Sequence, residues 1–455
     1  MNLRLARHFV VVFIAALPSL LDAQAPARPV LTLDQAVGIA ASSNPLVEAA
    51  HASESEAEAG VASARAPLFP KIGASETFTE STDPVFAFGA RLRQGRFTSS
   101  DFSPAFLNSP GPTGDFTSTA GVAWTAFDAG VSKHQLRAAR RFLSAAEQQT
   151  YGTQQSIAFA TIRAYYRALL ADDEKITTAA AVERAHAFAK EAHDRVDTGL
   201  ALVADGMQAD VEVSTQEEER TQAESNATLA YAELGGFLGD PTRQLTLARP
   251  AGTPEQTLVD LPRLQKQALA ARQDLLALHS RIAGMEEQVK AGHASYGPQV
   301  SAFGNVEADN PHPLSGGATN WTLGAKVELQ VFDGGARHAQ IAKAVAQKQA
   351  AQAAYKQAET QAILDVQRAF YACQTAQRQF GIAGAMLNNA EETLRTAQDR
   401  YAAGLVTVSE VLRQQEQLHD IELNRTRAIH EWWIASAQLR FATGDLHVPD
   451  TGVKP

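Results

Sequence analysis

Two proline-free tracts, each longer than a hundred residues, constrain this sequence more than any other feature. No proline occurs at 113–240 or at 314–448. Because a proline inside a helix costs about 3 kcal/mol, these gaps permit very long helices. A continuous helix from Gly130 to Gly199 would extend roughly 100 Å, at about 1.5 Å per residue. Helices of that length predict a tubular or coiled-coil molecule rather than a compact domain.

The two tracts belong to two halves of the chain that repeat the same short motifs at one spacing. Three pairs of motifs are each 205 positions apart: AFDAG (126–130) and VFDGG (331–335), RVDTGL (195–200) and RYAAGL (400–405), and Gly-Asp at 239–240 and 444–445. A constant spacing over more than a hundred residues indicates a duplication without insertions in this part of the chain.

The first half is longer than the second because of one additional segment near its start. Pro70 in PLFPKIGAS best matches Pro298 in SYGPQVSAF, at a spacing of 228 rather than 205. The 23 extra residues therefore lie between Pro70 and Phe127. The segment 83–117 is rich in Pro, Ser, Gly and Phe, and we predict that it forms a long loop.

The N-terminus has the features of a secretory signal peptide, which is removed from the mature chain. Arg4 and Arg7 precede an apolar run at 9–17, and an A-x-A cleavage site lies at 23–25. The predicted organisation is a signal peptide (1–25), a first repeat (26–240), a linker (241–258), a second repeat (259–445) and a C-terminal tail (446–455). Within the repeats, hairpins near 71–127 and 299–332 precede long helices near 129–239 and 334–443.

Short helices are predicted before each of the two strand regions. Thr32 and Gln35 have the spacing of a capping box, which opens one helix. Asn44-Pro45 then ends that helix, and a second one runs toward Pro67.

The second proline-free tract carries a heptad pattern in which large residues alternate with alanine. The large residues that recur every seven positions are Val366, Cys373, Phe380, Leu387, Leu394 and Tyr401. The alanines between them are Ala369, Ala376, Ala383, Ala390 and Ala397. In the first tract, a less regular stripe contains Phe159, Ile162, Tyr166, Leu169 and Ile176. Both stripes predict helices that pack closely side by side.

Strictly alternating apolar and polar residues precede each FD(A/G)G motif. The apolar positions are Ala120, Val122, Trp124 and Ala126 in the first half, and Leu323, Ala325, Val327, Leu329 and Val331 in the second. About ten residues of period two are typical of a tilted transmembrane strand. A hairpin on a soluble core has the same alternation. The signal peptide, and the long helix that follows each hairpin, favour the membrane interpretation.

Two hairpins give four strands per chain, because KIGASETFTES after Pro70 and QVSAFGNVEAD after Pro298 supply the partner strands. Lipid tolerates no open sheet edge, since unpaired backbone groups there cost several kcal/mol each. Four strands are too few to close a barrel, because the smallest bacterial barrels have about eight. Several chains must therefore contribute strands to one barrel, and two, three or four chains all satisfy this arithmetic.

Each FD(A/G)G motif is predicted to mark the point where a membrane strand ends and a long helix begins. Aspartate caps a helix N-terminus, and glycine permits a tight turn. The residues assigned to the two turns are Phe127, Asp128, Gly130, Phe332, Asp333 and Gly335.

Together these features resemble the TolC-like outer-membrane efflux proteins, or outer membrane factors, over essentially all of the mature sequence. The two-fold repeat, the FD(A/G)G turns and the paired R-x-x-x-G-L motifs carry the resemblance. It implies a mainly α-helical homotrimer, with a twelve-strand β-barrel in outer-membrane lipid (four strands per chain) continuous with a twelve-helix periplasmic α-barrel. It also implies two partners, a periplasmic adaptor (membrane fusion protein) and an inner-membrane pump, which open a passive exit duct for efflux or type I secretion.

The resemblance also implies roles for residues near the far ends of the long helices. Adaptor docking is implied for the periplasmic tip residues Arg195, Gly199, Leu200, Arg400, Gly404 and Leu405. A gate or pore constriction is implied for Asp205, Tyr401, Glu410 and Arg413. Two positions depart from the family pattern, since Val406 stands where a gate-linking arginine can occur and Arg413 where a second acidic ring can occur.

Composition and motifs indicate no catalytic or cofactor site. The formal net charge of −10 disfavours a nucleic-acid partner. HEWWI (430–434) lacks the second histidine of H-E-x-x-H, and no G-x-S-x-G or phosphate-binding glycine loop is present. We therefore predict no enzyme activity, no cofactor and no metal, and place His419 and His430 on the polar surface of a helix. Cys373, the only cysteine, is predicted to be a small buried apolar residue.

A second interpretation of the whole chain is a periplasmic coiled-coil adaptor or scaffold. The alternating strands favour the exit duct, because a soluble adaptor has no need of ten-residue patterns that face lipid. The sequence identifies neither the exported substrate nor the class of pump.

Overall fold

The structure is a computed structural model that describes residues 30–254, 260–313 and 318–449. The predicted signal peptide lies outside the described residues, as do 255–259, which contain the predicted boundary between the linker and the second repeat, and 450–455 of the predicted tail. Within the described ranges, no helix contains a stretch that is long and apolar enough to cross a bilayer.

The two halves of the chain contain the same main elements in the same order. The first half contains β1 (Val30–Leu31), α1 (Leu33–Ser43), α2 (Pro45–Arg65), β2 (Lys71–Ser81), α3 (Pro84–Arg93), α4 (Pro104–Asn108), β3 (Thr113–Phe127), α5 (Val131–Asp197) and α6 (Val203–Phe237). The second half contains β4 (Thr246–Leu247), α7 (Leu261–Ala271), α8 (Gln273–Ala294), β5 (Gln299–Asn310), β6 (Ala318–Glu328), α9 (Ala336–Ala402) and α10 (Val408–Ala442). Each boundary of α9 and α10 lies 205 positions after the corresponding boundary of α5 and α6.

The two short helices before the first hairpin begin as predicted. The backbone N–H of Thr32 donates to Gln35 Oε1 (3.0 Å), and the N–H of Gln35 donates to Thr32 Oγ1 (3.3 Å). This capping box opens α1. Asn44 then caps α2 by accepting a bond from the N–H of Leu46 (3.0 Å), and Pro45 is the first residue of α2.

Four strands form one antiparallel ribbon in the order β2-β3-β5-β6. The pairing of β3 with β5, in which Ala120 lies opposite Val306, joins the two halves of the chain. β2 and β6 are the edges of this ribbon, with no further strand beside them in the described ranges. Both predicted hairpins are therefore present, and they share a single sheet.

One face of the ribbon is apolar and the other is polar. The exposed apolar side chains of the first face include Ile72 (85% exposed), Trp321 (77%) and Leu323 (76%). Ser75, Thr119, Glu307 and Asn320, which lie opposite one another across the four strands, belong to the second face. The alternation in the sequence therefore separates the two faces as the period-two pattern predicts.

The predicted second strand of the second hairpin was too long. It was expected to continue to Val331, but β6 ends at Glu328. Glu328 pairs with Gln299, which is the first residue of β5, so the residues that follow have no strand opposite them. A period-two pattern in the sequence does not show where the partner strand begins.

The segment 83–117, predicted as a long loop, contains the helices α3 and α4 and the start of β3. Asp83 caps α3 by accepting a bond from the N–H of Phe86 (2.7 Å). Phe88 of α3 packs edge to face with Phe97 and Phe102, which also pack edge to face with each other. The prediction was wrong because short helices that begin with Pro after Ser or Asp have the composition of a loop. We call residues 82–112 the connector.

A buried tyrosine of α5 ties down the start of the described chain and the linker between the two halves. The short strands β1 and β4 pair in parallel, so part of the predicted linker is ordered. The Tyr165 hydroxyl lies 2.9 Å from the carbonyl oxygen of Leu31 and 2.7 Å from that of Ala248. Of the first predicted stripe, Ile162, Tyr166 and Leu169 are buried and Phe159 is half-buried. Ile176 was assigned wrongly, because its side chain is 59% exposed.

The predicted heptad of α9 forms a buried seam. The members that are buried in a single chain are Val366, Ala369, Cys373, Ala376, Ala383, Ala390, Leu394, Ala397 and Tyr401. Phe380 and Leu387 are half-buried at the edges of the same clusters. Cys373 is buried as predicted, with its Sγ 3.6 Å from Ser436 Oγ of α10. Alanine at alternate layers allows the backbones of neighbouring helices to approach closely.

We expect Ala369→Leu to destabilise the protein, because Ala369 is fully buried in this seam. Added volume in a packed core typically costs about 1–3 kcal/mol. Ala372→Leu is the matched control, since Ala372 lies on the same helix with its side chain exposed. Thermal unfolding of the purified variants, followed by far-UV circular dichroism, should show a lower midpoint for the first variant alone. Equal midpoints for the two variants would contradict the predicted seam.

Candidate functional site

The two strand–helix turns have the same geometry in both halves. The Asp128 carboxylate accepts bonds from the backbone N–H groups of Gly130 (3.0 Å) and Ser132 (2.7 Å). Asp333 accepts the equivalent bonds at 3.1 and 3.0 Å. Gly130 and Gly335 have φ values of 95° and 88°, which a side chain would strain. Each turn thus combines an aspartate cap with a glycine in the left-handed region.

The phenylalanines of the two turn motifs are exposed in a single chain. Phe127 is the last residue of β3, and its side chain is 52% exposed. Phe332 lies beyond the end of β6 and is 82% exposed. Aromatic residues near the ends of membrane strands are typical of the interfacial girdle of an outer-membrane barrel.

Each R-x-x-x-G-L motif forms the C-cap of a long helix. The N–H of Leu200 donates to the carbonyl oxygen of Arg195 (2.8 Å), and Gly199 has φ of 75°. The second motif repeats this geometry, with φ of 73° at Gly404 and a 2.8 Å bond from the N–H of Leu405. These are the bonds of a Schellman motif, which closes a helix over a left-handed glycine. Both leucines project into solvent in a single chain.

We call the turn after α5 (195–200) the first tip and the turn after α9 (400–405) the second tip. The two tips differ in the apolar surface that follows the turn. After the first turn, four further apolar side chains are exposed: Leu202, Val203, Met207 and Val211. After the second turn, the apolar side chains Val408, Val411 and Leu412 are buried. They belong to a cluster that also contains Phe188 and Tyr401, against which Val406 packs. The first tip therefore presents the larger apolar surface.

Tyr401 links the long helices of the two halves near the tip. Its ring lies 5.4 Å from that of Phe188, and the Arg195 guanidinium lies 4.7 Å from its centre. Arg195 Nη1 also donates to the carbonyl oxygen of Ala402 (3.2 Å). The Tyr401 hydroxyl has no hydrogen-bond partner among the described residues, and burial raises the pKa of this group. The link between the two halves therefore combines a cation–π interaction with one hydrogen bond to the backbone, and the Tyr401 hydroxyl takes no part in it.

The acidic residues predicted for the gate have partners within their own chain. Asp205 caps α6 by accepting a bond from the N–H of Leu202 (3.0 Å). Glu410 accepts bonds from Arg413 (2.6 and 2.7 Å) and Gln414 (3.1 Å). The bonds from Arg413 lower the pKa of Glu410, so its carboxylate stays charged. Glu410 and Arg413 therefore form an ion pair, and no hydrogen bond within the described chain joins Asp205 or Glu410 to Tyr401.

A histidine ladder between α5 and α6 was missed by the sequence analysis. His193 Nε2 lies 2.9 Å from Asp210 Oδ1, and one heptad earlier His186 Nε2 lies 3.4 Å from Glu217 Oε1. A Cβ at Gly206 would lie 2.9 Å from the His193 ring, so the glycine makes room for it. The hydrogen bond to Asp210 raises the pKa of His193. The sequence did contain a signal for this ladder. His186 and His193 are seven residues apart before the RVDTGL turn, and Asp210 and Glu217 are seven residues apart after it.

His419 and His430 were wrongly placed on a polar helix surface. Both are buried, and each contacts a carboxylate of another helix. His419 Nε2 lies 2.8 Å from Glu219 Oε2, and His430 Nε2 lies 2.8 Å from Asp173 Oδ2. A buried imidazole needs a hydrogen-bond partner, and at each of these positions the carboxylate on the facing helix supplies one. Within the described ranges, no group of three or more His, Cys, Asp or Glu side chains is arranged to hold a metal ion.

Comparison with known proteins matches both halves of the chain to one family. A family model described as outer membrane efflux protein matches residues 36–240 and 264–445. The chain is 28% identical over 199 residues to outer membrane protein OprJ of Pseudomonas aeruginosa, a match that covers 43% of this chain and 41% of OprJ. It is 26% identical over 391 residues to protein CyaE of Bordetella pertussis, which covers 85% of this chain and 78% of CyaE.

The fold is shared with solved structures over nearly the whole chain. CusC, whose crystal structures were reported in connection with transmembrane channel formation, superposes with a TM-score of 0.78. This match covers 90% of this chain and 92% of CusC, at 16% sequence identity.

We expect a rise in pH from 6 to 8 to loosen the first tip. The pKa of His193 is raised in the folded protein, so the pair with Asp210 stabilises fully below the unfolded value of about 6.5. This contribution is lost as the pH rises through the folded pKa. Hydrogen–deuterium exchange at 186–210, relative to 391–415 and corrected for intrinsic rates, should report the change.

His193→Gln is the control, because the second tip has Gln398 at the equivalent position. The variant should lose the pH dependence of the exchange ratio. A ratio that does not change with pH in the parent protein, or that changes equally in the variant, would contradict the assignment.

Proposed function

The chain belongs to the outer membrane efflux protein family, and from this premise we propose that it is the outer-membrane exit duct of a tripartite efflux or type I secretion system. In this role it is a passive homotrimeric channel, which an adaptor and an inner-membrane pump open at the periplasmic tip. The pump supplies the energy, so the duct needs no cofactor or catalytic group. The observation that carries the proposal is a four-stranded ribbon with two open edges, attached to helices of 67 residues.

The open edges support assembly into a ring of identical chains. Strand direction alternates in the order β2-β3-β5-β6, so β6 of one copy lies antiparallel to β2 of the next. Closure in this way satisfies the backbone groups that a single chain leaves unpaired. Three copies give twelve strands and twelve long helices, which is the arrangement that the family resemblance implies.

The apolar face of the ribbon supports a membrane location rather than a soluble scaffold. Ile72, Trp321 and Leu323 are each at least three-quarters exposed in one chain. A soluble protein rarely leaves a contiguous apolar patch of this kind on its surface. Lipid would cover these side chains, while the polar face would line a water-filled lumen.

The far ends of the long helices support a role in docking and gating. A helix of 67 residues extends about 100 Å from the ribbon, which suits a tube that crosses the periplasm. The exposed leucines Leu200 and Leu405 offer the adaptor matching contacts on two adjacent tips. Arg195 and Tyr401 join the two tip hairpins, as do Gln208 and Ser409 through a 3.0 Å hydrogen bond, so opening would have to break these contacts. We assign Glu410 and Arg413 to the pore, where they form an ion pair. Arg413 would therefore partly neutralise the ring of negative charge that three copies of Glu410 would form.

Fractionation tests the proposal directly. We expect the mature chain in the outer-membrane fraction as a trimer that survives detergent at room temperature and dissociates on heating. The expectation rests on the edge strands, whose pairing between chains buries many backbone hydrogen bonds. A monodisperse monomer that remains soluble without detergent would overturn the proposal in favour of the scaffold.

We expect the double substitution Leu200→Asp and Leu405→Asp to abolish cross-linking to the adaptor, because charged groups would have to be desolvated at the docking surface. The control is Leu46→Asp, since Leu46 is 63% exposed at the start of α2, outside the two tips. Both proteins should still form heat-modifiable trimers. Unchanged cross-linking of the double variant would remove the tips from the docking surface.

A further inference from the structure

We propose that the connector is an exit plug, which folds onto the luminal face of the barrel and is held there by Arg93. The inference rests on the proposed function, because the lumen exists only in the closed barrel. The connector joins β2 to β3 at the end of the ribbon opposite the long helices. In the outer membrane that end faces the outside of the cell, where the transported substrate leaves.

The connector contacts the polar face of the ribbon. Its partners on the strands are Asp115, Glu307 and Asp309. Glu307 pairs directly across from Thr119 of β3 and Asn320 of β6, on the face that excludes Ile72 and Leu323. Since this polar face would line the lumen, the connector lies inside the mouth of the barrel and not around its rim.

Arg93, the last residue of α3, is placed among three carboxylates. Its guanidinium nitrogens lie 3.9 Å from Asp115 Oδ2, 3.5 Å from Glu307 Oε1 and 3.8 Å from Asp309 Oδ1. Asp115 and Asp309 are 1% and 0% exposed, so these carboxylates are buried beneath the connector. Buried charges of one sign need a counter-charge, and Arg93 is the arginine that supplies it.

The neighbouring residue Gln94 adds a second, directional contact. Its Nε2 donates to Asp115 Oδ1 (2.9 Å) and to the carbonyl oxygen of Gly114 (3.0 Å). Thr117 Oγ1 bridges the two aspartates, at 3.3 Å from each. Even so, Asp309 Oδ2 has no hydrogen-bond partner among the described residues. Without Arg93, the Asp309 carboxylate would be buried with too few partners. Water could reach it only if the connector moved away, so the docked position would become less favourable.

The opposite side of α3 is apolar. Ala87 and Ala90 are buried on the side that faces the ribbon, whereas Val85 and Leu92, seven residues apart, are 81% and 56% exposed. In the closed barrel, the exposed side of α3 faces the axis. An apolar constriction disfavours water and ions even when it is not sterically closed. The docked connector therefore narrows the exit with an apolar surface.

The plug predicts that Arg93 limits access to the lumen from outside the cell. The reporter is Ser75→Cys, because Ser75 is an exposed small residue on the polar face of β2, in register with Thr119. Intact cells are treated with a polymer-linked maleimide that is too bulky for diffusion porins, so that only the outer exit admits it. We expect Arg93→Ala to raise the rate of labelling about tenfold, which corresponds to about 1.4 kcal/mol of lost docking free energy.

The matched control is Arg96→Ala in the same reporter chain. Arg96 is exposed and lies three residues further along the chain, and it does not face the three carboxylates. Its substitution removes the same charge as that of Arg93. It should label at the parent rate. Equal labelling of the Arg93 and Arg96 variants, with trimers intact, would overturn the plug. Absence of a heat-modifiable trimer in the parent would instead overturn the proposed function, so the two failures are distinguishable.

A disulfide supplies a second measurement that does not depend on charge. A Cβ at Gly95 would lie 3.5 Å from that of Ala318 on β6, within the range that a disulfide spans. Because a side chain at the φ of 65° of Gly95 is strained, this variant must also form intact heat-modifiable trimers. Gly95→Cys with Ala318→Cys, added to the Arg93→Ala reporter chain, should return labelling to the parent rate when oxidised. Reduction should restore fast labelling at position 75, measured on the peptide that contains it because the thiols released at 95 and 318 react with the same reagent. Fast labelling that persists after the disulfide has formed would show that the connector is not the barrier.

Discussion

The open edges of the four-stranded ribbon are the constraint on which the rest of the structure depends. Within the part of the chain that the structure describes, the outer rims of β2 and β6 have no partner strand, and lipid offers no hydrogen bonds to replace one. The cost of each unpaired backbone group forces closure by other copies of the chain. Closure in turn fixes the symmetry of everything attached to the ribbon, because each copy must place its long helices at the same position around the ring.

The passage from ribbon to tube depends on two turns with identical chemistry. Asp128 and Asp333 satisfy the first N–H groups of α5 and α9, and the glycines allow the chain to change direction within two or three residues. β3 therefore leads into α5 after three residues, whereas seven residues separate the end of β6 from the start of α9. The alanine seam then keeps the helices close enough for a continuous wall, and at the far end the two glycine caps reverse the chain in the same way.

Features of the sequence that repeat at a fixed period predicted the fold well, whereas features that depend on a distant partner did not. The helix boundaries near Gly130 and Gly199 and the buried positions of the α9 heptad follow from local spacing. By contrast, the end of β6 depends on where β5 begins, and the burial of His419 depends on Glu219 of another helix. The predicted pore acid Glu410 is an intermediate case, because its partner Arg413 lies one turn away and was interpreted as a departure from the family pattern rather than as an ion pair.

The geometry of helices and strands also determines where the two halves of the chain can differ in length. An insertion of one residue in a long helix rotates every later side chain by about 100°, and in a strand it moves every later side chain to the opposite face. The 205-residue spacing is therefore preserved from the turns to the ends of α6 and α10. The connector is exempt, since no partner sets its length. It contains 31 residues between Ser81 and Thr113, against seven between β5 and β6, so the two halves differ in length here while the tube keeps its register.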